Sequence, residues 1–167
     1  MSANPRSPAP AATPTRRLSL FERRALVVAM YGGYAAYMLL RGLAVSFDSG
    51  ALGLAGIAAL VGCLAAVWAL LYQTPYWNWG NAPDGSLDER ELAVRNRSYR
   101  AAYSAYAAIT LLPVVYVSIA IDHPRLWLPR TYDEVSRIVW GLILVGGTLP
   151  SALLAWDDRP LEEDREG

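Results

Sequence analysis

Four apolar stretches, each about as long as a helix must be to cross the roughly 30 Å hydrocarbon core of a bilayer, constrain this chain more than anything else in it. They run from Ala25 to Ser46, Leu52 to Tyr72, Ala101 to Ile121 and Ile138 to Trp156. Hydrophobic residues make up 54% of the chain, high for a soluble domain. The fold expected is all-α: a bundle of four transmembrane helices, with a cytoplasmic helical extension preceding the third span.

Orientation follows from the arginines, because Lys and Arg are held back on the cytoplasmic side during insertion. All fifteen basic residues are Arg. The segment 1–24 carries Arg6, Arg16, Arg17, Arg23 and Arg24. The loop 73–100 carries Arg90, Arg95, Arg97 and Arg100, and the tail 157–167 adds Arg159 and Arg165. The loop between spans one and two has none, and the loop before span four has Arg125, Arg130 and Arg137. Both termini are therefore expected in the cytoplasm. A net charge of zero gives no reason to expect nucleic acid.

Residues 1–24 read as a disordered cytoplasmic tail, rich in Pro, Ala and Ser up to Thr15. Thr15-Arg16-Arg17-Leu18 resembles a twin-arginine export signal, but the apolar run after it is longer than the roughly 7–15 residues of a signal core. A retained anchor is the expectation. The tail 157–167 is acidic and reads as a solvated cytoplasmic end, or as a complement to the loop arginines.

Within the spans, polar side chains are few. Tyr31, Tyr34 and Tyr37 recur at helical spacing beside Gly32 and Gly33. They mark a helix–helix seam with bonded hydroxyls, or the wall of a polar cavity. Arg41 is the one ionisable residue well inside a span. It is expected to snorkel to the headgroups, or to pair with Asp48 or Asp122. Span two carries rows of small residues, Ala51/Ala55/Ala59 and Ala58/Gly62, suited to close packing within the bundle or between copies. Cys63 reads as a small apolar packing group. Pro113 and Pro150 are expected to kink or unwind their helices.

The loop 73–100 has the clearest pattern. Tyr72, Tyr76, Trp77 and Trp79 suit an interfacial aromatic anchor. Asn81-Ala82-Pro83-Asp84-Gly85 is turn chemistry. Ser86 followed by Glu89 reads as a capping box, and Asp88, Glu89 and Glu91 suit the first turn of a helix. Glu91 and Arg95 stand as an i, i+4 pair. With no breaker before Pro113, one helix is expected from Leu87 into the membrane. Arg90 and Arg97 share a face, and Leu92, Tyr99, Tyr103 and Tyr106 line another that packs on the bundle or sits at headgroup depth.

Leu87-Asp88-Glu89-Arg90-Glu91, followed by Arg95, Arg97 and Ala101-Ala102-Tyr103, resembles the LDERE…R…AY signature of a group of small bacterial inner-membrane proteins with no assigned activity. There the signature immediately precedes a transmembrane helix. The resemblance implies a bacterial inner-membrane location and no substrate.

No CxxC, HExxH, GxSxG or phosphate-binding glycine loop occurs. The apolar spans hold no Asp or Glu, which disfavours proton-coupled transport. His123 lies near Asp48, Asp122, Asp133 and Glu134 only by supposition, and their spacing matches no metal motif. The expectation is a non-catalytic accessory, scaffold or sensory protein with no cofactor and no metal. Its contact residues are Asp88, Glu89, Arg90, Glu91, Arg95, Arg97, Arg100 and Tyr103. Its partners are the lipid bilayer, a second copy, or a membrane or cytosolic protein. The rival expectation is a small homo-oligomeric transporter using the Tyr31/Tyr34/Tyr37 face and Arg41.

Overall fold

The computed structural model describes residues 18–74 and 76–156. All regular structure in them is helical. Helix α1 spans Leu20–Ser46 and α2 spans Gly50–Trp68, prolonged by a π-helical turn over Ala69–Gln73. A short α3, Tyr76–Gly80, and a 3₁₀ turn, Asp84–Ser86, lead to α4, Glu89–Ala120; α5 is Tyr132–Trp156. Four of these helices are long and apolar enough to cross a membrane, as a multi-pass membrane protein requires. The two tails outside 18–156 lie beyond the described residues, and with them the proposed pairing of the acidic tail.

Each long helix begins where a side chain can satisfy the orphan N–H groups of its first turn. Ser19 and Glu22 form a reciprocal capping box on α1. Asp88 and Glu91 form one on α4. Thr131 and Glu134 exchange equivalent bonds at the start of α5. Ser49 Oγ accepts from the Leu52 N–H on α2. The caps correct two expectations. Helix α1 starts at Leu20, so residues 20–24 belong to the helix and not to the tail. The α4 box lies two residues later than Ser86/Glu89, because Ser86 turns its hydroxyl back to the Pro83 carbonyl and ends the 3₁₀ turn.

Helices α1 and α2 run antiparallel through a three-residue turn. Helix α1 also packs on α5, and α5 on α4, giving the lateral order α2–α1–α5–α4. The four-helix bundle expected takes the form of an open row, in which α4 packs mainly on α5. Lipid tails are as apolar as leucine, so no hydrophobic gain draws α4 toward α2. Leu112, Val114, Val115 and Ile119 accordingly stay exposed on its surface.

Two ends can be distinguished. The loop end carries the start of α1, the end of α5 and residues 74–88. The turn end carries the α1–α2 turn and the α4–α5 connection. The buried cluster of Val27, Met30, Cys63, Ala66, Leu70, Tyr76, Ala152, Leu154 and Ala155 is displaced toward the loop end. Cys63 is buried there as a packing group.

Close approach depends on glycines, but not on the rows read from the sequence. The buried face of α2 is Gly53, Gly56, Cys63 and Ala66. Ala51, Ala55, Ala58 and Gly62 point outward and are exposed, and only Ala59 of those rows turns partly inward. Gly33 of α1 lies against Cys63 and the Ala59 carbonyl. Across the α1–α5 seam, the Tyr34 ring occupies the space a Cβ on Gly141 would need, 2.8 Å away. Tyr106 of α4 sits in the same way on Gly146, at 3.0 Å. Both Pro113 and Pro150 lie within continuous α-helices, so of the kink or unwinding expected, unwinding does not occur.

Gly141→Ala should therefore lower the unfolding temperature in detergent, by overpacking worth about 1–3 kcal/mol. Gly62→Ala meets nothing within 4 Å. It should leave the unfolding temperature unchanged or raise it, since Ala is the better helix former by about 1 kcal/mol. Equal shifts in the two variants would refute this account of the seam.

Candidate functional site

The polar chemistry gathers at the loop end, and it is built by elements that meet only in three dimensions. Arg23, in the first turn of α1, is 3% exposed. Its guanidinium donates to the Tyr76 hydroxyl and lies 5.9 Å from the centre of that ring. Tyr76 is itself 3% exposed. It is thus turned inward, away from the interfacial anchor expected of it. Tyr72 and Trp77 remain exposed and do suit an interface. The neighbouring Arg24 lies over the Trp156 ring at 5.1 Å and donates to the Trp156 carbonyl at 3.3 Å. A cation there meets the negative end of α5.

Leu70 and Thr74 complete the inner wall. The Thr74 hydroxyl bonds back to the Leu70 carbonyl, where the π-helical turn leaves the backbone ladder of α2. That bond gives a carbonyl at the end of α2 a side-chain partner.

Outside this wall the loop is fastened to α4 by Arg95. One guanidinium nitrogen donates to the Ala82 carbonyl at 2.7 Å, and the other pairs with Asp84. Arg95 is 9% exposed. The i, i+4 partnership with Glu91 does not form, because the Glu91 carboxylate accepts from the Asp88 N–H at 3.1 Å as part of the cap. Arg95 is thus an internal strut where a lipid or partner contact was expected. One turn further along α4, the Tyr99 hydroxyl donates to the Gly80 carbonyl at 3.2 Å.

The remaining expected contact residues divide clearly. Asp88 and Glu91 are committed to the cap. Glu89, Arg90, Arg97 and Arg100 are exposed. Arg100 reaches only its own helix, at the Asn96 carbonyl. Tyr103 is 76% exposed, whereas Tyr99 and Tyr106 on the same expected face are packed on glycines. Asn96, Arg97, Arg100 and Tyr103 span about 120° around the helix. They form an outward polar stripe where α4 leaves its apolar segment.

The tyrosines of α1 serve the seam. The Tyr31 hydroxyl bonds to Thr148 Oγ at 3.1 Å, and the Tyr34 hydroxyl donates to the Arg137 carbonyl. Tyr37 stacks obliquely on Tyr34, ring centres 5.8 Å apart. Two of the three hydroxyls are thus taken up between helices, as a helix–helix seam requires. Arg41 lies apart from it at the turn end, against α2.

Around His123, the ring nitrogen Nδ1 contacts the Ile119 carbonyl at 2.8 Å. No group of His, Cys, Asp and Glu among the described residues is placed to hold a metal. No family model, curated protein or solved structure matches this chain.

Arg23 and Tyr76 were missed by sequence reasoning. Their signal was an arginine directly abutting an apolar run, which reads equally well as a retention charge. Arg95→Ala should release the loop. A hydrogen bond to a charged group is worth about 1.5–3 kcal/mol, so exchange of the Ser86 and Leu87 amides should rise about tenfold or more. Asp84→Asn should have a smaller effect, because the Asp84 carboxylate is 83% exposed and screened. Unchanged exchange in Arg95→Ala would show that the turn holds itself.

Proposed function

We infer that this is a non-catalytic protein of a bacterial inner membrane, with both termini in the cytoplasm. It acts as an accessory, scaffold or sensory component. Its working surface is the part of α4 that outruns the bilayer. The observation carrying this reading is the pairing of a very long helix with an unspent polar stripe. Helix α4 has 32 residues, about 48 Å at 1.5 Å per residue, against a core of about 30 Å. The surplus turns hold Arg97, Arg100 and Tyr103 exposed on one side.

On the adjoining face the same turns are anchored to the loop through Arg95 and Tyr99. A helix held on one face and open on the other makes a rigid platform. Two arginines beside a tyrosine suit anionic headgroups at roughly 1 kcal/mol per arginine, and equally an acidic surface on a protein pressed to the membrane. Support for the orientation comes from the arginine excess on the loop 73–100 and the terminal segments. The resemblance of residues 87–103 to small bacterial membrane proteins supports the location. The bonding of the Tyr31 and Tyr34 hydroxyls between α1 and α5 weighs against the tyrosine face of the transport reading, which then rests on Arg41.

Charge reversal, Arg97→Glu with Arg100→Glu, should abolish partner retention in mild-detergent purification, or weaken binding of the full chain to anionic nanodiscs about tenfold or more. Folding is checked by an unchanged unfolding temperature. If the folded double variant keeps both properties, the platform reading is wrong. Orientation is tested in a Cys63→Ser background. A Ser86→Cys thiol should label only from the cytoplasm and an Arg125→Cys thiol only from the opposite side; the reverse pattern would invert the topology.

A further inference from the structure

The turn end contains a cation whose placement nothing in the described chain explains. Arg41 lies five residues before the end of α1, about 7–8 Å along the helix axis. Its guanidinium reaches sideways onto α2: Nη1 is 3.8 Å from where a Cβ on Gly53 would be. No hydrogen bond or ion pair joins it to any described residue, and Asp48 and Asp122, the partners expected from the sequence, are not paired with it. It faces a notch of about 480 Å³ between the two helices, bordered by Asp48, Ser49, Gly53, Leu54 and Ile57.

A guanidinium carries five N–H donors and no acceptor. At membrane depth an ionised side chain is costly unless it is paired or reaches water. Here it rests beside the first turn of α2, the positive end of that helix dipole. Ser49 answers the Leu52 and Gly53 N–H groups. The Gly50 and Ala51 N–H groups have no acceptor among the described residues. A cation, free backbone donors and a positive helix end thus share one opening. A Cβ at position 53 would touch Arg41 Nη1 and Ala44 Cβ at 3.8 and 4.0 Å, so a larger side chain there would reach into the notch.

Charge also grades along the notch. Arg41 lies deep, and Asp48 lies at its rim in the turn, held at a positive φ of 46°. That order matches a lipid whose phosphodiester lies deeper than its headgroup amine. We propose that the notch binds the headgroup of an aminophospholipid, its phosphodiester oxygens taken by Arg41 and its ammonium facing Asp48. A phosphate accepts two parallel N–H bonds from one guanidinium. The carboxylate at the rim disfavours a dianionic phosphomonoester and a headgroup that offers no cation. This inference concerns the turn end and is independent of the α4 platform.

The test is native mass spectrometry of the full chain released from nanodiscs containing phosphatidylethanolamine, phosphatidylglycerol and phosphatidylcholine in equal parts. Phosphatidylethanolamine should be retained over phosphatidylglycerol about tenfold, the value of one charged hydrogen bond. Arg41→Gln should lose the retained phosphatidylethanolamine, while any phosphatidylglycerol held at Arg97 and Arg100 stays. Asp48→Asn should keep phospholipid but lose the preference for the amine. Gly53→Leu is a second route: it keeps the Arg41 charge, sets a bulky side chain beside the guanidinium, and should weaken lipid retention as well. Each variant is compared at matched unfolding temperature. Undiminished retention in folded Arg41→Gln and Gly53→Leu would overturn the site. Retention without headgroup preference in the parent would overturn the role of Asp48. Displacement of the lipid by excess inorganic phosphate would make this a site for free anions and refute the lipid assignment.

Discussion

A polar side-chain tip has no water to turn to inside hydrocarbon, and the way α1 meets that constraint organises this protein. Arg23, Tyr31 and Tyr34 stand along α1, and each finds its partner on another element: Tyr76 in the loop, Thr148 on α5, and the Arg137 carbonyl on α5. Interhelical hydrogen bonds in membranes average about 0.6 kcal/mol and reach about 1–2. They are directional, however, where apolar contact with lipid is not. They therefore fix which face of α1 meets α5, and α1 in turn carries α2 through its glycine face. Helix α4, which joins the row through α5, inherits its position from the same seam.

The distribution of burial follows. The tight cluster around Met30, Cys63, Leu70 and Ala155 lies where Arg23 and Tyr76 close the loop end. Toward the turn end the helices expose large apolar side chains, as lipid permits. The loop end is therefore the more tightly packed part, and it is also where α4 projects beyond its apolar segment. Arg95 extends that packing outward by holding the loop against α4. The turn end, with Arg41 beside its open notch, is the complementary case: there a charge is placed without an internal answer.

The sequence and the structure part company at a few places, and for physical reasons. Local signals were readable: the apolar runs, the continuity of the helix from the loop into span three, the packing role of Cys63, and the suitability of Tyr31 and Tyr34 for a seam. The choice between two overlapping capping boxes was not. Ser86 and Asp88 are both good N-caps, and the 3₁₀ turn that consumes the Ser86 hydroxyl decides for Asp88. Glu91 had two local partners available, and the cap took it. Arg95 then went to Ala82 and Asp84, which lie more than ten positions away and enter no helical-spacing rule.

Length and hydropathy determined by themselves that this chain forms four membrane-length helices, because a helix in lipid satisfies its own backbone and depends on no neighbour to exist. Only the tertiary structure decided which faces of those helices meet. Small residues occur on every side of α2, and periodicity could not tell the inward Gly53, Gly56, Cys63 and Ala66 from the outward Ala51, Ala55, Ala58 and Gly62. That choice rests on the fit of particular side chains into particular glycine gaps, Tyr34 on Gly141 and Tyr106 on Gly146. Such a fit depends on two helices at once and is written in neither alone.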